Sequence, residues 1–154
     1  MNKQTFTARA MVCERRLYRI ARTLLRCDAD CEDAVQEALL KAWSKRNTLR
    51  EEQYFETWLV RILINECKTI LRRQPVNTEP LNESLAALAA DPQVMNALMI
   101  LPEKHRIPVE LHYIEGYSIR EIAGILRLPE GTVKWRLSRG RILLQQELGE
   151  EDQP

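Results

Sequence analysis

Residues 117–144 read YSIREIAGILRLPEGTVKWRLSRGRILL, and the folding of this stretch decides what the second half of the chain is. Ser118 followed three residues later by Glu121 is a capping-box signature, in which hydroxyl and carboxylate each accept from the other residue's amide. Ile119, Ile122, Ala123 and Leu126 then recur at the i, i+3, i+4, i+7 spacing of one apolar helix face, which predicts a helix of about two turns. LRLP interrupts it. Pro129 is placed to open a second helix, with Glu130 in the first turn, where the macrodipole favours a carboxylate. In that second helix Val133, Leu137, Gly140 and Leu144 form the inward stripe. At about 100° per residue, Trp135, Ser138, Arg139 and Ile142 lie opposite, with Lys134 and Arg141 on one flank and Arg136 on the other.

Two short helices with a tight connection, the second basic on its outer face, are what a helix-turn-helix needs. A recognition helix offers forked donors to base edges in the major groove while flanking cations neutralise phosphates. A solvated helix hairpin whose cations only confer solubility is the competing reading. Cap, apolar phase, turn and basic outer face together favour DNA contact.

Upstream, Leu17, Ile20, Ala21, Leu24 and Leu25 recur at helical spacing, and a second helix is expected near Asp30, whose side chain would cap it. Val35, Ala38, Leu39, Ala42 and Trp43 make one stripe of that helix. The other stripe, Asp33, Gln36, Glu37 and Leu40, is acidic with one outward apolar residue. A third helix is predicted from about Gln53 to Arg73, with Phe55, Leu59, Ile62 and Leu63 toward a core and Trp58, Arg61, Asn65, Lys68 and Arg72 along another face. Residues 74–93, QPVNTEPLNESLAALAADPQ, hold three prolines, three acids and no base, which predicts a flexible acidic linker with one short helical turn around Ser84 to Ala90. Helical rhythm resumes at Val94, Ala97, Leu98 and Leu101, then from Ile107 to Tyr113. The expected fold is all-α, two small helical domains at residues 1–73 and 94–154 joined by the linker at 74–93.

Charge is segregated. The chain has 154 residues and a formal net charge of +1, yet Asp28 to Ala38 carries five acids and no base, and Ser118 to Leu144 carries six bases against two acids. No apolar run approaches the ~20 residues that span a bilayer, and the N-terminus lacks a signal-peptide core. The expectation is a cytoplasmic protein without direct membrane insertion. The four cysteines, Cys13, Cys27, Cys31 and Cys67, are then buried or half-buried reduced thiols. Cys27 and Cys31 with His105 or His112 lack the C-x2-C spacing of a zinc site, so no metal or cofactor is expected. No carboxylate cluster or Ser-His-Asp pattern suggests an enzyme.

The segments DCEDAVQEALLKAW, YFETWLVRILINECKTILRR and LPEKHRIPVELHYIEGYSIREIAGILRLPEGTVKWRLSRGR resemble, in order and spacing, successive signatures of the extracytoplasmic-function (ECF) RNA polymerase sigma factors of the sigma-70 family. The resemblance covers about Leu17 to Leu144. It implies a promoter-melting region two, a linker and a helix-turn-helix region four. It also implies an initiation factor whose partners are core RNA polymerase, through clamp helices of the largest subunit and the flap of the second subunit, promoter DNA and an anti-sigma factor.

The resemblance gives the faces roles. Asp33, Gln36, Glu37 and Leu40 would dock on the clamp helices. Asn65 would read a non-template base of the minus-ten element, Leu49 and Arg50 would cradle a flipped base, and Arg61, Lys68 and Arg72 would lie along the same strand. Lys134, Trp135, Ser138 and Arg139 would meet the minus-thirty-five element, with Arg139 bidentate to guanine and Lys134, Arg136 and Arg141 at phosphates. Two positions depart from the family pattern: Leu49 stands where an aromatic residue is common, and Trp135 where a small polar residue is usual. Trp58 is counted with the core. A conventional helix-turn-helix regulator that binds a duplex operator without polymerase is the rival reading.

Overall fold

The computed structural model describes residues 1–73 and 92–152, and among them there is no strand. The chain divides into two compact units, Met1–Leu88 and Ala89–Pro154.

In the first unit, Asn2 caps α1 (Lys3–Leu24), its side chain accepting from the Thr5 amide at 2.8 Å. Helix α2 (Asp28–Ser44) follows, then two single 3₁₀ turns, Arg46–Thr48 and Glu52–Tyr54, and α3 (Phe55–Arg73). All three helices pack on one another. Ala34, Ala38 and Ala42 of α2 are fully buried; small residues at i, i+4, i+8 let the neighbouring helices come close along one line. Leu17, Ile20 and Leu24 of α1 and Leu59, Val60, Leu63 and Ile64 of α3 fill the space they leave. The Phe6 ring meets the Trp43 and Phe55 rings edge-on, at centroid distances of 5.3 and 5.6 Å, closing one end. Ion pairs Arg9–Glu52, Arg16–Glu56 and Lys41–Glu66 join the elements around it.

Helices α2 and α3 each differ from expectation at one point. Helix α2 starts at Asp28, and its cap position is Cys27, with no side-chain cap bond; Asp30 lies in the first turn, where its charge still suits the exposed amides. Ile62 is only half-buried, whereas Val60 and Ile64 are buried. Helix α3 is covered by both α1 and α2, so its buried arc is wider than one stripe.

The second unit contains α4 (Pro92–Ile100), α5 (Glu103–Val109), a π turn (Glu110–Ile114), α6 (Ile119–Leu126) and α7 (Glu130–Asp152). Helix α4 opens on Pro92, inside the stretch read as linker; proline suits a first helical position, where no intrahelical partner awaits its missing N–H. The expected turn at Ser84 to Ala90 lies outside the described residues. Pro108 sits within α5 and cannot donate to the Lys104 carbonyl, and the π turn follows, with the Glu115 amide reaching back to the Glu110 carbonyl at 3.1 Å. Leu98, Leu101, Leu111, Ile122 and Val133 form the core.

Candidate nucleic-acid and polymerase interfaces

The capping box at Ser118 forms: the Glu121 amide donates to the Ser118 hydroxyl at 3.1 Å, and the Ser118 amide to the Glu121 carboxylate at 3.0 Å. Helix α6 ends at Arg127, whose φ of 55° places it in the left-handed region and reverses the chain. Pro129 stands one residue outside α7 instead of within it, its carbonyl accepting from the Val133 amide at 3.1 Å. The result is a helix-turn-helix. Val133, Leu137 and Gly140 face inward, and Leu144 is half-buried.

Lys134, Trp135, Ser138, Arg139 and Arg141 are exposed, and Arg136 is half-buried on its flank. Trp135 keeps 58% of its surface open to solvent and Ile142 41%. Gly140 allows α7 to press on α5: a Cβ there would sit 2.7 Å from Val109 Cγ2 and 3.4 Å from His105 Cβ. His105, 4% exposed, bonds through Nδ1 to the Arg136 carbonyl at 3.2 Å. Burial lowers its pKa; the Arg136 carbonyl opposes this, and Lys104, Arg136 and Arg139 add to it.

In the first unit the acidic stripe is also on the surface. Asp33, Gln36 and Glu37 are exposed, and Leu40 is 64% exposed beside them. Residues Phe6, Leu39, Leu40 and Trp43 line an apolar groove of about 450 Å³ that shares Gln36 and Leu40 with the stripe. Helical periodicity does not reveal this groove, because part of it comes from the start of α1, dozens of residues away. On α3, Asn65 and Arg72 are exposed and Arg61 and Lys68 are half-buried, along one side. The Thr69 hydroxyl donates to the Asn65 carbonyl at 2.9 Å, and Arg72 reaches Thr69 at 3.3 Å. Leu49 is half-buried and Arg50 exposed in the loop after the first 3₁₀ turn. Just before it, the Arg46 guanidinium stacks 3.7 Å from the Trp43 ring centroid and donates to the Trp43 carbonyl at 2.8 Å. Trp58 is half-buried and tilted against Phe55 at 6.0 Å, so it belongs to the margin of the core and not its centre.

Cys13, Cys31 and Cys67 are buried and Cys27 is half-buried, all as free thiols. Among the described residues no three His, Cys, Asp or Glu side chains gather as a metal site, and no helix is long and apolar enough to cross a membrane. His112, like His105, engages a backbone carbonyl, that of Tyr117 at 2.8 Å.

The family model for Sigma-70 region 2 matches residues 11–75, and that for Sigma-70, region 4 matches residues 92–144. The ECF RNA polymerase sigma factor SigM of Mycobacterium tuberculosis is 37% identical over 142 residues, spanning 88% of this chain and 72% of SigM. Among solved structures, the sigma factor RpoE from Bartonella quintana, in complex with the anti-sigma factor NepR, superposes with a TM-score of 0.78 at 27% identity, over 97% of this chain and 99% of that one. CnrH, in complex with the cytosolic domain of CnrY, gives a TM-score of 0.78 at 25% identity, over 99% of this chain and 92% of that one. With both sigma regions matched in order and a relative of this identity along most of its length, the chain belongs to the ECF RNA polymerase sigma factors of the sigma-70 family.

Proposed function

We propose that this chain is a cytoplasmic transcription initiation factor that binds core RNA polymerase, directs it to specific promoters and helps open the duplex, while the polymerase itself forms the phosphodiester bonds. The observation that carries the reading is the outward stripe of α2, where Leu40 lies exposed among Asp33, Gln36 and Glu37. An acidic face with an apolar residue at its edge suits docking on basic clamp helices of the largest polymerase subunit: carboxylates accept charge-assisted bonds from arginine, and burial of a leucine contributes about 1.5–3 kcal/mol.

The second unit supplies upstream recognition through α7. Arg139 offers a bidentate fork to guanine, Ser138 and Trp135 share its face, and Lys134, Arg136 and Arg141 position phosphates. In the first unit Asn65 reads a base of the minus-ten strand, with Leu49 and Arg50 at a flipped base and Arg61, Lys68 and Arg72 along the strand. Flipping costs a few kcal/mol, which contacts in the pocket must offset. The flap of the second polymerase subunit and an anti-sigma factor complete the partners; of the two structural relatives, RpoE was solved with the anti-sigma factor NepR and CnrH with the cytosolic domain of CnrY.

Transcription in vitro with purified core enzyme tests this. Added protein should bind core and give start-site-specific RNA from its own upstream region. Absence of both, or tight operator binding without core, removes the proposal.

A further inference from the structure

Trp135, exposed on α7, also reaches α5. Its ring centroid lies 5.7 Å from that of His105 at an interplanar angle of 47°, and the Lys104 ammonium sits 6.0 Å from the indole centroid. His105 is fixed beneath it by the bond to the Arg136 carbonyl, and Gly140 permits the close approach that holds α5 in place. The start of α5 is thereby brought to the edge of the outward face of α7. Lys104 is exposed there.

The surface around the indole is basic: besides Lys104, the side chains of Lys134, Arg139 and Arg141 are exposed on α7 and Arg136 is half-buried on its flank. Like charges gathered this way repel one another, and a polyanion lying across them relieves that repulsion. An ammonium is a point charge on a flexible four-carbon stem, suited to phosphate and poorly suited to reading a base edge. An ammonium held near an aromatic ring has less freedom left to lose when it meets its phosphate. A small polar residue at position 135 would offer no such platform.

We propose that Lys104 contacts a backbone phosphate of promoter DNA and that Trp135 is a positioning residue, its indole holding the lysine beside the recognition helix. This rests on α7 being the helix that reads the upstream duplex.

The test uses full-length protein assembled with core polymerase, promoter DNA, and a series of salt concentrations. Lys104→Gln should weaken binding several-fold, equally on matched and altered minus-thirty-five sequences, and reduce the log–log salt slope by about 1. Trp135→Ser should give part of the same uniform loss, Trp135→Phe should retain most of the binding, and Lys104→Gln should cost less in the Trp135→Ser background. Unchanged affinity and slope for Lys104→Gln, while Arg139→Ala loses base discrimination, would overturn the role of Lys104 and leave α7 as the reader. Loss of discrimination at one base pair in Trp135→Ser would make the indole a base reader and overturn its positioning role. Binding unaffected by both Arg139→Ala and Lys104→Gln would remove the recognition helix and this inference together.

Discussion

Gly140 of α7 stands so near Val109 of α5 that a methyl group added at Gly140 would lie 2.7 Å from Val109 Cγ2. That contact is with a short, branched side chain beside a buried helix, which has little room to move. Gly140→Ala should therefore destabilise the protein by about 1–3 kcal/mol, the usual range for overpacking. Gly124, within α6 and with no heavy atom within 4 Å of the position its Cβ would take, should respond oppositely, Gly124→Ala adding about 0.5–1 kcal/mol through helix propensity. Urea midpoints of the two variants check the pair, and equal signs would contradict the packing described.

Docking should be separable from folding on α2. Glu37 and Leu40 are exposed, so Glu37→Lys and Leu40→Asp should leave stability within about 0.5 kcal/mol of the parent. Both should weaken binding to core polymerase, by about tenfold or more for a charge reversal against basic helices. Melting curves beside a core-binding titration decide it; a misfolded Glu37→Lys protein would place the stripe in the fold instead of the interface.

Arg139→Ala should lose discrimination at one promoter base pair, by about 1–3 kcal/mol. Competition between holoenzyme complexes on promoters differing at single upstream positions reads this directly. Equal loss on every sequence would move Arg139 among the phosphate contacts.

His105 sets a pH dependence. Its pKa in the fold lies below the ordinary 6.5, because burial disfavours the imidazolium, with Lys104, Arg136 and Arg139 adding to the effect. On acidification the unfolded chain takes up the proton first, so the neutral imidazole's contribution is complete above about pH 6.5 and is lost as pH falls from there toward the folded pKa. A titration of the His105 ring protons by NMR should give a midpoint below 6.5; a midpoint above it would reverse the sign.

The helix-turn-helix was legible in the sequence because its signals are local. Ser118 and Glu121 are three residues apart, and each bonds the other's backbone as spacing requires. The outward stripe of α2 was equally legible, since Leu40 stands with Asp33, Gln36 and Glu37 on a single helical phase. Features made by distant residues were not. The groove between Phe6 and Leu40 joins the start of α1 to α2, and the Lys104–Trp135 contact joins α5 to α7; periodicity within one helix contains neither. Arg22, 1% exposed, would be placed outside by residue type, but its guanidinium turns in to donate to the Leu25 carbonyl at 3.1 Å, at the C-terminal end of α1 where a cation is favoured. Asp30 failed as a cap because the helix begins two residues earlier.

The unequal burial of the four thiols makes the chain selectively labelable as it stands. Burial pushes Cys31 up to about 12, with the Arg22 guanidinium opposing, and raises Cys67 and Cys13 as well, so few thiolates form there at neutral pH. Cys27 is half-buried at the head of α2. A maleimide dye should react there first, to a stoichiometry near one per chain before the fold opens, with mass spectrometry of the digested adduct as the check. The fluorophore would then sit on the helix that carries Leu40, a reporter of polymerase capture obtained without changing a single amino acid.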